Sequence, residues 1–283
     1  MAGTRALGRA VHFYLYSEPD QPVGKLLSML DILIVASGPF RVTLRSTGVD
    51  LRRTNNALIP GHYDIRTYSR RDTIAINDEL SITRILSKTK IGRNESFRAQ
   101  VRARDGKCVI TGTVNVNVPI NVWHGFETAH IFPLSSEDYW LQNEFSRWIT
   151  NRKDERDTGI NSCQNGLLIM SNIHQNFDGF GFAINQDDGY KIPCFDKDPF
   201  RIYGRIFDPI CRIPNGEDGV RDELLRWHFR QAVLANMRAA GEPSFEKDFP
   251  PGTDMMGEIQ SGPEAGKRME AELFSRLNGV SFV

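Results

Sequence analysis

The fold of the middle of this chain is decided by residues 161–178, NSCQNGLLIMSNIHQNFD. Residues 166–170, GLLIM, form a short apolar run of the length expected for a buried strand. Residues 171–178 follow without a linker, and Ser171 or Asn172 can cap a short helix there. The segment therefore predicts a strand that leads directly into a helix.

A second strand is predicted upstream of this segment. Residues 127–133, ETAHIFP, end at a proline, and a long connection rich in Trp, Asn and charged residues follows. The predicted order is strand, long loop, strand, helix. It places His130 on the first strand, Asn165 at the start of the second and His174 on the helix. Residues 108–112, CVITG, predict a further short strand that enters a turn.

The front of the chain has the patterns of strands. Residues 11–16 form an apolar run, and residues 40–45 alternate apolar and polar side chains with period two. Residues 59–65 and 73–76 continue the pattern, with Gly, Pro and Asn between them. Residues 26–36 are apolar enough for a helix or a strand, and their periodicity does not choose between the two.

Helices are predicted on both sides of the central segment. Residues 94–105 place Phe97 and Val101 on one helix face, with Gly106 as the stop. Residues 221–240 predict a helix with recurring apolar side chains, and residues 264–277 predict a second helix, with apolar residues four apart at Met269, Leu273 and Leu277. The intervening arm, residues 241–263, is rich in Gly and Pro.

The charges are balanced overall but segregated along the chain. The 283 residues contain 35 Lys and Arg and 35 Asp and Glu, which excludes a uniformly basic coat. Residues 84–107 nevertheless carry eight basic and two acidic residues, and residues 241–272 carry three basic and eight acidic ones. Either one face of the protein meets an anion, or the two blocks are solvated helix faces or pair with each other.

The cysteines and the apolar segments limit the class of protein. The four cysteines are scattered without a C-x-x-C pair, which argues against a zinc ribbon or a redox dithiol and indicates a reducing, intracellular compartment. Neither a secretion signal nor a membrane-spanning segment is recognisable. Nucleus and cytoplasm are not distinguished by these features.

The central segment resembles the ββα-metal finger of the HNH endonucleases. The resemblance rests on residues 129–134, AHIFPL, on residues 165–178, NGLLIMSNIHQNFD, and on the nine-residue step from Asn165 to His174. A finer similarity, to a fungal group of HNH-nuclease-domain proteins, extends over most of residues 95–280. It includes the tracts GFETAHIFPLSSEDYW, FDGFGFAIN and LLRWHFRQAVLANMRAAGEP. The front strands are similar to the variable front domain of that group, more loosely.

The resemblance implies a role for each residue of the motif. His130 is implied to be the general base that deprotonates water, a task suited to a free pKa of about 6.5. His174 is implied to ligate a divalent metal, and Asp178 lies on the same helix face four residues later. Asp178 can equally be a helix-end residue. Asn165 is implied either to coordinate the metal or to fix the loop that carries His130.

Two departures from the family weaken this reading. Many HNH nucleases have an acidic or histidine metal ligand directly before the base, where this chain has Ala129. Glu127 points to the same face of the strand and is expected to substitute only with some rearrangement. Many HNH domains also carry two C-x-x-C pairs. Of those four cysteines, this chain has only Cys108.

The sequence therefore predicts an α+β protein with a mainly-β domain over residues 1–93, an HNH ββα-metal core over residues 94–200, and a helical C-terminal extension over residues 201–283. The predicted function is a metal-dependent DNA endonuclease that uses Mg, Mn or a transition metal such as Zn or Ni. Phosphate contacts are predicted for three basic side chains of one helix: Arg98, Arg102 and Arg104. The alternatives are a degenerate HNH scaffold that serves as a binding module, and a fungal enzyme that reuses the pocket on a small molecule. The sequence does not set the oligomeric state.

Overall fold

The computed structural model describes residues 5–7, 10–15, 22–79, 81–82, 95–152, 154–212, 216–237 and 257. These residues contain both helices and strands, which confirms the mixed α+β class. They form two compact units, one within residues 1–86 and 237–283 and one within residues 87–236. The predicted three-part division, with boundaries at residues 93/94 and 200/201, stays a prediction.

Some predicted features lie outside the described residues. These are the helix over residues 264–277, the arm over residues 241–263 except for Gly257, and four basic residues of the segment 84–107, namely Arg84, Lys88, Lys90 and Arg93. In the described part of the chain, none of the helices combines the length and the apolar character that a bilayer-spanning helix needs.

The first unit contains an antiparallel sheet of five strands. In chain order the elements of this unit are β1 (Arg5–Leu7), β2 (Ala10–Leu15), α1 (Val23–Leu33), β3 (Ile34–Ala36), β4 (Phe40–Leu44), β5 (Val49–Asp50), β6 (Gly61–Thr67) and β7 (Ile74–Ile76). The sheet has the order β1-β2-β6-β4-β5, and β3 pairs separately with β7. The alternation that predicted strands is visible in β4, where Val42 and Leu44 are buried and Arg41 is exposed.

The ambiguous segment over residues 26–36 is a helix followed by a strand. Leu26, Leu30 and Leu33 recur at helical spacing and are buried in the core of the first unit, together with Tyr63 and Ile65 of β6. A continuous apolar run is compatible with both elements, and burial of one face against the sheet selects the helix.

The second unit contains the predicted strand, loop, strand and helix. Its elements are α2 (Glu95–Asp105), β8 (Phe126–His130), α3 (Glu137–Gln142), β9 (Gly166–Met170), α4 (Ser171–Asp178) and α5 (Asp222–Met237). Helix α2 ends at Asp105 as predicted, and Gly106 adopts a left-handed φ of 62°. The prediction of a strand over residues 108–112 is wrong. These residues form a turn, closed by a bridge between Lys107 and Val114.

The two faces of the hairpin β8–β9 contact different helices. Strand β8 pairs antiparallel with β9, so that Phe126 lies opposite Met170 and His130 opposite Gly166. Because successive side chains of a strand point to opposite faces, Phe126 and His130 share one face and Glu127 the other. Phe126 packs against a cluster that contains residues of α2, whereas Glu127 contacts α4. Strand β8 therefore directs Phe126 toward α2 and Glu127 toward α4, and His130 is its last residue.

Candidate functional site

His130 is held from two sides at the end of β8. Its ring stacks on Phe97 of α2, with ring centroids 4.1 Å apart and an interplanar angle of 11°. Its Nε2 lies 3.2 Å from Oδ1 of Asn161, in the loop that leads to β9. The ring is partly buried. These contacts fix the plane of the imidazole before any substrate arrives.

Asn165 joins the two ends of the long loop. It is fully buried, and its Oδ1 accepts a hydrogen bond from the backbone N–H of Phe132 at 2.8 Å. Its Nδ2 donates to the carbonyls of Phe132 at 3.1 Å and Ile160 at 2.9 Å. The backbone carbonyl of Asn165 accepts from the N–H of Ile131, directly after His130. Both ends of the amide are thus used by the backbone, which is the arrangement expected of a loop-fixing residue.

His174 lies between two carboxylates on the other face of the hairpin. Its Nδ1 is 2.6 Å from Oε2 of Glu127 on β8, and its Nε2 is 3.2 Å from Oδ2 of Asp178, one turn later on α4. The side chains of His174 and Asp178 are 21% and 18% exposed, and Glu127 is about half exposed. Burial by itself lowers the pKa of His174, but the hydrogen bonds and charges of Asp178 and Glu127 outweigh it and raise that pKa to about 9.

The surroundings of Ala129 explain how a carboxylate reaches this cluster. Ala129 is fully buried on the face that contacts α4 and supplies no polar atom. Glu127 lies two residues earlier on that face and contacts His174 directly. The expectation that Glu127 can replace the missing ligand only with some rearrangement stays a prediction, because Glu127 contacts a nitrogen of His174 here.

The side chains of His174, Glu127 and Asp178 are of the types that bind divalent metals, but their arrangement here is not that of a metal site. Among the described residues, no group of three or more His, Cys, Asp or Glu side chains is arranged to hold a metal ion. One imidazole with two carboxylates is nevertheless a common donor set for divalent ions. In the contacts present here, both nitrogens of His174 face carboxylate oxygens instead.

The three arginines of α2 occupy different environments. Arg104 is buried, with a side chain that is 5% exposed, and it forms an ion pair with fully buried Asp105. Its guanidinium also donates to the carbonyls of Cys163, Asp218 and Gly166. The predicted phosphate contact does not fit this position, because every donor group of the side chain contacts protein oxygen. The helical period indicates this position, because Arg104 lies three residues after Val101 and seven after Phe97 and so shares their buried face.

Arg98 and Arg102 lie one turn apart on α2, and both are partly buried. Arg98 contacts Glu95, and the guanidinium of Arg102 lies 4.7 Å from the ring centre of Trp123. Desolvation and the neighbouring charge of Arg98 lower the pKa of Arg102. The Nε atoms of both arginines are buried without a hydrogen-bond partner. The two side chains are therefore partly buried, and their Nε–H groups are not accessible to a ligand.

Sequence reasoning missed two residues that contact the predicted base. Asn161 and Phe97 lie 31 residues after and 33 residues before His130. Phe97 is recognisable from the sequence only as a core residue of α2. Asn161 belongs to a tract that resembles the HNH family, but nothing in its local pattern marks it as the partner of a histidine.

Comparison with known families agrees with the central motif. Residues 108–185 match the family model described as HNH endonuclease. This match supports the HNH superfamily for that segment, and with it a nuclease-type function that acts on nucleic acid. Residues 8–72 match a domain of unknown function, DUF8573. No curated protein and no solved structure matches the chain significantly.

Proposed function

We propose that the second unit is a metal-dependent endonuclease that hydrolyses DNA phosphodiesters, with His130 as the general base. One observation carries the proposal. The hairpin β8–β9 presents an imidazole held by Phe97 and Asn161 on one face, and a second imidazole between two carboxylates on the other. Hydrolysis of a phosphodiester near neutral pH needs both a base and a centre that neutralises negative charge.

In this proposal, His130 takes a proton from the attacking water. Stacking on Phe97 restricts rotation of the ring, and Asn161 holds Nε2, which favours one tautomer of the neutral imidazole. Asn165 acts through the backbone, because it ties the segment directly after His130 to the opposite end of the loop. We therefore assign Asn165 a positioning role rather than metal ligation.

His174 and Asp178 are the proposed metal ligands, and Glu127 is the carboxylate that compensates for Ala129. Glu127 either shares the ion or orients His174 through Nδ1, as partners of ligating histidines commonly do. A bound divalent metal, Mg, Mn or a transition metal such as Zn or Ni, would supply charge neutralisation at the scissile phosphate and at the leaving oxygen.

We further propose that Arg98 and Arg102 contact DNA phosphates and that Arg104 does not. Arg98 and Arg102 are partly exposed and lie one turn apart on α2, and guanidinium groups match phosphate oxygens. Arg104 is instead committed to Asp105 and to three backbone carbonyls.

Plasmid cleavage tests the base. We expect wild-type protein with Mn²⁺ or Mg²⁺ to nick supercoiled DNA, and His130→Ala to lower the rate by roughly 10²–10⁴-fold, the usual contribution of a positioned base. His62→Ala, a change of an exposed histidine in the first unit, is the matched control and should leave the rate unchanged. Equal nicking by wild type and His130→Ala would assign the cleavage to another base or to a contaminant.

A non-hydrolytic binding module is the second candidate. It is favoured by Ala129 at the family's ligand position and by the lack, among the described residues, of a ready-made group of three metal ligands. Calorimetric titration with Mg²⁺, Mn²⁺, Ni²⁺ and Zn²⁺ separates the two functions. A protein that binds DNA but takes up none of these ions and does not nick plasmid would be a binding module.

A further inference from the structure

A loop between α2 and β8 exposes an unusual amount of aliphatic surface. Four aliphatic side chains within seven residues are exposed, namely Val114 at 62%, Val116 at 79%, Val118 at 40% and Ile120 at 69%. Single exposed apolar side chains are common on soluble proteins, but four within seven residues concentrate apolar surface in one loop, which favours a surface that another molecule covers.

The loop is held in one shape by its asparagines. Asn115 is buried, its Nδ2 donates to the carbonyl of Val122 at 2.9 Å, and its Oδ1 accepts from the N–H of Asn117 at 3.0 Å. A single turn of 3-10 helix spans Val118–Ile120 and ends at Asn121, which has a left-handed φ of 53°. The aliphatic side chains therefore project from an ordered backbone, so that binding costs little additional conformational entropy.

Trp123 connects this loop to the arginines of α2. Its indole N–H donates to Oδ1 of Asn121 at 2.8 Å, and its ring faces the guanidinium of Arg102 at 4.7 Å. Arg98 lies one turn away on the same helix. Residues 106–126 contain neither Asp nor Glu. The apolar loop is thus flanked by cationic groups and has no carboxylate of its own, which favours an anionic partner.

We infer that residues 114–121 form a wedge that inserts Val116 and Ile120 between base pairs of duplex DNA, while Arg98 and Arg102 hold the adjacent phosphates. This inference rests on the proposed function, because it assumes that the partner is DNA. Aliphatic wedges that partly unstack a base step and bend the duplex are a known mode of DNA binding. Exposed apolar side chains, a loop without carboxylates and the nearby guanidinium group of Arg102 match a partner with stacked bases inside and phosphates outside.

Binding of a fluorescent duplex in EDTA, where hydrolysis is suppressed, tests the wedge. We expect the double variant Val116→Gln/Ile120→Gln to bind about tenfold more weakly, because two aliphatic side chains lose their burial. The slope of log Kd against log salt should not change. Arg98→Ala should instead reduce that slope by about one. Leu141→Gln, a change of another exposed aliphatic residue on α3, is the control and should leave affinity and slope as in the wild type.

A 2-aminopurine base in the duplex reports unstacking directly. Wild-type protein should raise its fluorescence and bend a duplex labelled at both ends for energy transfer, and the double variant should do neither. Unchanged affinity and fluorescence with the double variant would overturn the wedge. A double variant that binds DNA normally but loses self-association in light scattering would overturn it too, in favour of a contact between copies.

The outcomes separate this inference from the proposed function. If the wild type cleaves DNA and the double variant keeps wild-type affinity and fluorescence, the wedge is rejected and the nuclease function stands. Unstacking without any cleavage rejects the nuclease and leaves the wedge. Failure of the wild type to bind duplex DNA rejects both. Thermal unfolding of each variant shows whether it is folded, and the exposed positions chosen should not lower the melting temperature.

Discussion

The two faces of the hairpin β8–β9 place the same type of side chain in different environments. On the face toward α2, His130 contacts an aromatic ring and a neutral amide. On the face toward α4, His174 contacts two carboxylates, which raise its pKa to about 9. Both histidines lie in one motif, and both rings are partly buried. The difference shows that the neighbours, not the residue type, separate a candidate base from a candidate ligand.

The different surroundings of His130 and His174 follow from strand geometry. Side chains alternate between faces with period two, so Glu127 and His130, three residues apart, point to opposite sides. A carboxylate on the same face as His130 would pair with its ring and favour the charged form, which cannot accept a proton. Strand alternation therefore directs Glu127 toward His174, whereas the contacts of His130 include the neutral amide of Asn161.

The largest expected effects come from replacing either of the two histidines by alanine. His130→Ala should lower plasmid cleavage by roughly 10²–10⁴-fold, the usual contribution of a positioned base, and His174→Ala should also lower it, because the proposed metal site loses its imidazole. Only His174→Ala should abolish Mn²⁺ uptake in calorimetry, because the proposed ligands lie on the α4 face. Loss of Mn²⁺ uptake in His130→Ala would contradict the separation of the two faces.

Replacing Arg104 tests whether this side chain stabilises the fold or binds DNA. Arg104→Ala leaves the buried carboxylate of Asp105 unpaired, although that carboxylate also accepts from the N–H of Leu168. We expect the free energy of unfolding to fall by about 3–5 kcal/mol, as for other broken buried ion pairs. The measurement is urea unfolding followed by circular dichroism.

Arg102→Ala is the matched control on the same helix and should change stability by less than about 1 kcal/mol. A similar small loss in Arg104→Ala, accompanied by weaker DNA binding, would instead restore Arg104 as a phosphate contact.

Gly166 tests the contact between the hairpin and the ring that supports His130. A Cβ atom at this position would lie 2.6 Å from both Phe97 and Val101. Gly166→Ala should therefore displace the Phe97 ring and destabilise the protein by about 1–3 kcal/mol, the usual cost of overpacking. Cleavage should fall while Mn²⁺ affinity stays unchanged.

A suitable control is Gly112→Ala. Gly112 has a left-handed φ of 77°, and no atom lies within 4 Å of a Cβ built there. This change introduces backbone strain without a clash, so it should lower stability but leave the pH dependence of cleavage unaltered. If Gly166→Ala weakened Mn²⁺ binding as strongly as it slowed cleavage, the two faces would not act separately.

Glu127 carries the smallest expected effect. Glu127→Gln removes the charge next to Nδ1 of His174 but keeps a hydrogen-bonding group, and we expect Mn²⁺ affinity to fall about tenfold, at the lower end for an orienting partner of a ligand. Calorimetry measures the change, and Glu137→Gln in α3 is the control. Complete loss of Mn²⁺ uptake would indicate that Glu127 is a direct metal ligand. Unchanged Mn²⁺ affinity would indicate that Glu127 does not replace the ligand that many family members have at the position of Ala129.

The sequence determined the local parts of this protein. The apolar run of β9, the helix directly after it and the stop of α2 at Gly106 follow from short-range patterns, because strand and helix periodicity and left-handed glycine conformations are local properties. The family motif likewise rests on short spacings, and the match over residues 108–185 supports it. The error over residues 108–112 has a similar origin, since a brief apolar run does not distinguish a strand from a buried turn.

Tertiary structure decided which partners these parts meet. Asn161 contacts His130 from 31 residues away, and Glu127 contacts His174 from 47 residues away. Helix periodicity places Arg104 on the face of Val101, but only tertiary structure supplies the carbonyl of Gly166 in β9 to which Arg104 donates. The physical reason is that burial and long-range contacts depend on how helices pack on the hairpin, and packing sums small contributions from side chains far apart in the chain.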